Sequence, residues 1–124
     1  DGSGDICVAY HHGDNGELRY ACASQGGSCN SWVTEVVDDI GNVGHYASLA
    51  FNSDDQPYIA YYDQTTSALK VATKENSVWE IIEIDNSGNV GMYADLDIDN
   101  NDIVHITYLE DAGTKGKLKY AWGR

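Results

Sequence analysis

The stretch IGNVGHYASLAF at residues 40–51 returns as SGNVGMYADLDI at residues 87–98. Gly41 pairs with Gly88, Gly44 with Gly91, Tyr46 with Tyr93 and Leu49 with Leu96, each at an offset of 47 residues. Trp32 and Trp79, Ile59 and Ile106, and Tyr61 and Tyr108 keep that offset. An N-terminal copy matches Ala9 to Ala60, Tyr10 to Tyr61, Leu18 to Leu69 and Ala21 to Ala72 at an offset of 51, the extra length lying in CASQGGSCNSW at residues 22–32. A fixed period of this size marks a repeat architecture. The chain therefore divides into units 1–44, 45–91 and 92–124 of one repeat domain.

In the complete middle unit, four short apolar runs occupy residues 46–51, 58–62, 69–73 and 78–84. The segments between them, NSDDQP, DQTTSA and KENS, are rich in residues that supply turn angles and local hydrogen bonds. Runs of this length and punctuation predict strands, and nothing in the chain sustains a helical period. Pro57, the single proline, falls at the start of a strand, where a missing N–H costs little. The expected fold class is all-β, and four-stranded units of this size match propeller blades.

Tyr46, Ser48, Leu49, Ala50, Pro57, Ile59, Tyr61, Tyr62, Asp63, Leu69 and Ala72 fall in the pattern Y-x-S-L-A, P-x-I-x-Y-Y-D and L-K-x-A. This pattern resembles a repeat of bacterial and archaeal surface proteins, a family taken to be β-propeller. The resemblance covers almost the whole chain and implies a fold without implying an activity. The last unit departs from it, with Asp95 for Ser, Val104 for Pro and Leu109-Glu110 for Tyr-Asp.

Laid out as blades, the units contribute three, four and three strands, about two and a half blades that cannot close within one chain, since closed propellers typically have at least four blades. Uncovered blade faces and unpaired strand edges favour self-association, giving a ring if the operation closes and a filament, tube or surface layer if it does not. The chain also reads as a fragment of a longer propeller.

Charge narrows the partners. Seven Lys+Arg against 20 Asp+Glu give a net charge of −13, which repels nucleic acid and anionic membrane surfaces. No apolar run approaches the roughly 20 residues of a membrane span, and the N-terminus DGSGDI lacks the features of a signal peptide, as expected of a mature secreted form.

Cys22 and Cys29 flank the longest turn, and a hairpin there would bring them together as a disulfide, which implies an oxidising, extracellular or cell-surface location. Cys7 is then left as a packed free thiol. Asp95, Asp97 and Asp99 alternate along a predicted strand, with Asp102 in the following turn. They read either as a solvated face or as oxygen ligands for calcium, at the turn or at a subunit contact. With two arginines, no G-x-S-x-G elbow and no phosphate loop, no catalytic residue is assigned and the protein is expected not to be an enzyme. The equivalent Tyr10, Tyr61 and Tyr108 are expected to pack between blades with their hydroxyls at a polar edge. Tyr62 with Asp63 forms a possible sugar-binding corner, and Trp122, with no strand after it, is the candidate subunit contact. The sequence thus predicts a non-enzymatic, extracellular, self-assembling structural protein, with carbohydrate binding as the alternative.

Overall fold

A computed structural model describes residues 1–23 and 31–124. It is all-β. The first sheet comprises β1 (Ile6–His12), β2 (Glu17–Ala23) and β3 (Trp32–Asp38). The middle sheet comprises β4 (Val43–Phe51), β5 (Pro57–Asp63), β6 (Ala68–Glu75) and β7 (Val78–Asp85). The last sheet comprises β8 (Val90–Ile98), β9 (Val104–Asp111) and β10 (Gly116–Gly123). Each is an antiparallel meander of sequence neighbours, and none closes on itself. The strands coincide with the apolar runs, and Pro57 opens β5 as expected.

Alternation along the strands gives the middle sheet two apolar faces. Ile59, Tyr61 and Ala72 pack against Leu18, Tyr20 and Val37 of the first sheet. Ala60, Leu69 and Val71 pack against Leu96, Val104, Ile106 and Tyr108 of the last. The three sheets therefore form a stack with one core at each joint.

The G-N-V-G segments make the crossings between sheets. Gly44 and Gly91 have φ of 94° and 106°, a region that favours glycine. Each also lies against the preceding sheet. A Cβ on Gly44 would sit 2.9 Å from the Leu18 Cα, and one on Gly91 would sit 2.8 Å from the Leu69 Cα. The repeated glycines are thus required twice over, by backbone angle and by close approach.

A second repeated device ties the sheets together. Tyr61 donates to Asp38 Oδ2 at 2.6 Å, and Tyr108 donates to Asp85 Oδ2 at 2.8 Å. Both tyrosines are buried between sheets with the hydroxyl at a polar edge, as the sequence predicts. Burial first, and then the facing carboxylate, push both hydroxyls well above the ordinary tyrosine value. Near the outer edge of the first joint, Glu35 accepts from Lys74 at 2.6 Å and from Trp79 Nε1 at 2.9 Å. Trp79 is thereby an anchor at the sheet edge.

The expected Cys22–Cys29 bridge is not formed, because Cys22 is bonded to Cys7. The register of β1 on β2 sets Cys7 directly opposite Cys22, with Cα atoms 4.1 Å apart. Cys7 is therefore no free thiol, and Cys29 lies outside the described residues.

Candidate functional site

The expected sugar corner at Tyr62 and Asp63 is built differently. Asp63 is fully buried, and its carboxylate accepts from the backbone N–H groups of Thr65 and Thr66 and pairs with Lys70 at 2.7 Å. Burial alone would raise this carboxyl, but Lys70 and Thr66 outweigh it and hold the group below its ordinary value. Asp63 is structural, with no face left for a ligand. Tyr62 is also buried, and its hydroxyl donates to Asn89 Oδ1 at 2.6 Å.

The four acidic residues offered to calcium do not converge, and among the described residues no group of three or more such ligands forms. Asp95 and Asp97 share the exposed face of β8. Asp95 accepts from Ser48 Oγ at 3.3 Å, and Asp97 accepts from the N–H of Ile98. Past the strand, the chain turns, so alternation no longer holds. Asp99 caps its own turn through the N–H groups of Asn101 and Ile103 and meets His105 Nε2 at 3.0 Å. Asp102 reaches across the joint to the Ser53 N–H at 2.8 Å and the Ser53 hydroxyl at 2.6 Å. His105 foremost lowers Asp99 below the ordinary carboxylate value, and Ser53 does the same for Asp102. These carboxylates serve turns and a sheet joint.

Trp122 stands on the outer face of the last sheet and is 71% exposed. It helps line an apolar cleft of about 100 Å³ between β7 and β10, with Ile82, Ile84, Val104 and Ile106. The cleft is smaller than the usual small-molecule pocket of about 300 Å³ or more and has few polar groups to orient a guest.

The arrangement with binding chemistry lies instead at the end of the stack where the G-N-V-G crossings run. Tyr46 and Tyr93 occupy equivalent bulges of β4 and β8 and hold left-handed backbone, with φ of 54° and 51°. A bulky residue in that region costs about 1–2 kcal/mol, and such outliers cluster at ligand sites. The bulges turn both rings outward, with centroids 4.4 Å apart across the second joint. Tyr46 is 42% exposed and Tyr93 65%. The neighbouring Tyr93 foremost raises the Tyr46 hydroxyl above its ordinary value.

Polar groups surround this pair. His45 stacks on His11 with centroids 3.9 Å apart. His11 Nδ1–H donates to the Val43 carbonyl at 2.8 Å, and His45 Nε2 meets Asn42 Oδ1 at 3.1 Å. Asn42 Nδ2 donates to Gln64 Oε1 at 2.7 Å. Burial and then the nearby His11 lower His45 from its ordinary value, which keeps it neutral at pH 7. Tyr62 lies beneath, its ring 6.3 Å from Tyr46 and 6.5 Å from His45. Two open aromatic faces, flanked by amides and a neutral imidazole, can stack an apolar ring surface and hydrogen-bond its substituents. Sequence reasoning brought out Tyr62 here and missed Tyr46, Tyr93 and His45. The recurrence of G-x-Y at residues 44–46 and 91–93 is the signal that could have found the two tyrosines.

No family model and no curated protein matches the sequence. Among solved structures, the chain is similar to a fucose lectin from Kordia zhangzhouensis, determined in complex with methyl-fucoside. The likeness has a TM-score of 0.57 at 20% identity and covers 99% of this chain and 93% of that one. At this identity it bears on the fold alone. Among the described residues no helix is long and apolar enough to cross a membrane.

Proposed function

We propose that the chain is an extracellular carbohydrate-binding module whose three sheets are successive blades of an open β-propeller, in keeping with the surface-protein repeat that its sequence resembles. The observation that carries the binding role is the Tyr46–Tyr93 pair. The same strained backbone recurs in two sheets, and each time it puts an aromatic face into solvent that the period-two pattern would have turned elsewhere. The likeness to a fucose lectin supports the reading, and the Cys7–Cys22 bond supports an oxidising compartment. The role is binding, without turnover. Neither the likeness nor the acidic residues lends support to the filament-forming structural role expected from the sequence, and the binding role does not depend on it.

A glycan array followed by NMR titration with methyl-fucoside and the best-scoring monosaccharides tests this reading. Saturable binding that shifts the Tyr46 and Tyr93 ring signals is expected. Tyr93→Ala should weaken binding at least tenfold while leaving the far-UV circular dichroism unchanged. Absence of binding across the array, or full binding by Tyr93→Ala, would overturn it.

A further inference from the structure

Inside the stack one joint is made twice, and the outer sheets each present one half of it. The forward half of the joint consists of Leu18 and Tyr20 in the first sheet and of Leu69 and Val71 in the middle sheet. Leu18 and Leu69 are fully buried, each beneath the glycine of the next crossing. The register-equivalent residues of the last sheet are Leu118 and Tyr120, and Leu118 is 81% exposed. The rear half consists of Ile59, Tyr61 and Ala72 in the middle sheet and of Ile106, Tyr108 and Ala121 in the last. Its equivalents in the first sheet are Val8, Tyr10 and Ala21; Val8 is 41% exposed, whereas the small Ala21 is already buried among its neighbours.

Charge follows the same division. The outer face of the last sheet carries Asp95 and Asp97, which make no ion pair among the described residues. The outer face of the first sheet carries Arg19, in the place of Lys70, braced by Glu17 at 2.8 Å. One open face is thus apolar with acids that make no ion pair among the described residues, and the other is apolar with a guanidinium already paired to Glu17.

We infer that the partner of these faces is a second copy of this chain, the outer face of the last sheet of one copy stacking on the outer face of the first sheet of another. The contact continues the internal joint: Leu118 and Tyr120 meet Val8 and Ala21 as Leu69 and Val71 meet Ile106 and Ala121. Because the two surfaces differ, the association is head-to-tail, and it yields a ring or an open stack according to the rotation per copy. Trp122, exposed on the same face as Leu118 and Tyr120, lies within the contact.

The test is light-scattering mass after size exclusion of the 124-residue chain over a concentration series, with Val8→Asp and Leu118→Asp prepared alongside. The native chain should associate, and each variant alone should be a monomer with native circular dichroism. An equimolar mixture of the two should form a dimer, because each variant retains the half that the other lacks. If Val8→Asp fails to fold, Ile6→Asp on the same face takes its place. A native chain that stays monomeric, a variant that still associates, or a mixture that stays monomeric would each overturn the inference. The first of these results leaves the faces to another occupant, such as further blades of a longer chain.

Discussion

At the joint between the first and middle sheets, Tyr61 is fully buried and donates to an Asp38 that is itself buried. At the joint between the middle and last sheets, Tyr108 is also buried, but Asp85 keeps some access to solvent. The lysines diverge too. Lys70 lies 4.0 Å from Asp38 and pairs more closely with Asp63 of its own sheet, at 2.7 Å. Lys119 crosses its joint and reaches Asp85 at 2.5 Å. Burial would raise Asp85, yet Lys119, Ser87 and Tyr108 outweigh it and hold this carboxyl far below the ordinary value. Equivalent residues thus make equivalent contacts in surroundings of different polarity, and the consequence of losing one contact should differ between joints.

The largest change to the first joint is expected from its backing. Reducing Cys7–Cys22, or replacing both by Ser, should lower stability by about 3 kcal/mol on the chain-entropy reckoning for a loop of this length. Urea unfolding with and without reductant measures it, and unchanged midpoints would show that the bond constrains nothing. Next comes Tyr61→Phe, which leaves the buried Asp38 carboxylate without its closest donor and should cost about 2–3 kcal/mol. Tyr108→Phe should cost about 1 kcal/mol, because Lys119 and Ser87 still serve Asp85. Equal losses from the two phenylalanine variants would erase the distinction between the joints.

The smallest effect is that of pH. His45, at the first joint, has Met92 as its counterpart at the second. Burial lowers the folded-state His45 value, so the unfolded chain takes up this proton first as pH falls below about 6.5, and stability declines with it. We expect a loss of under about 1 kcal/mol between pH 7 and pH 5.5, removed by His45→Gln and retained by Met92→Gln. Melting temperatures of the three proteins at both pH values decide this, and a slope that persists in His45→Gln would assign it to another group.

Much of the strand layout is legible in the sequence because the middle unit repeats on both sides. Leu69, Tyr61 and Ala72 show which positions must be covered, and the turn residues show where strands stop. The candidate site was less legible. The Cys22–Cys29 expectation weighed nearness along the chain, whereas the bond obeys cross-strand register. Placing Ala9 opposite Tyr20 puts Cys7 opposite Cys22. Alternation aligned Asp95 with Asp97 correctly but failed at Asp99, where the strand had already given way to a turn. Tyr46 escaped because nothing in a tyrosine itself announces left-handed backbone. That angle comes with the bulges that follow Gly44.

The crossing glycine has a consequence for how such a chain can be lengthened. The frame from residue 45 to residue 91 carries both partners of one crossing, Leu69 and Gly91, and the tyrosine and aspartate that join it to a neighbour on either side. It is a module with compatible ends, and copying it in tandem calls for no new joint chemistry. Growth by duplication, in a laboratory or in a genome, would add one complete four-stranded layer at a time and leave the layers already present unchanged.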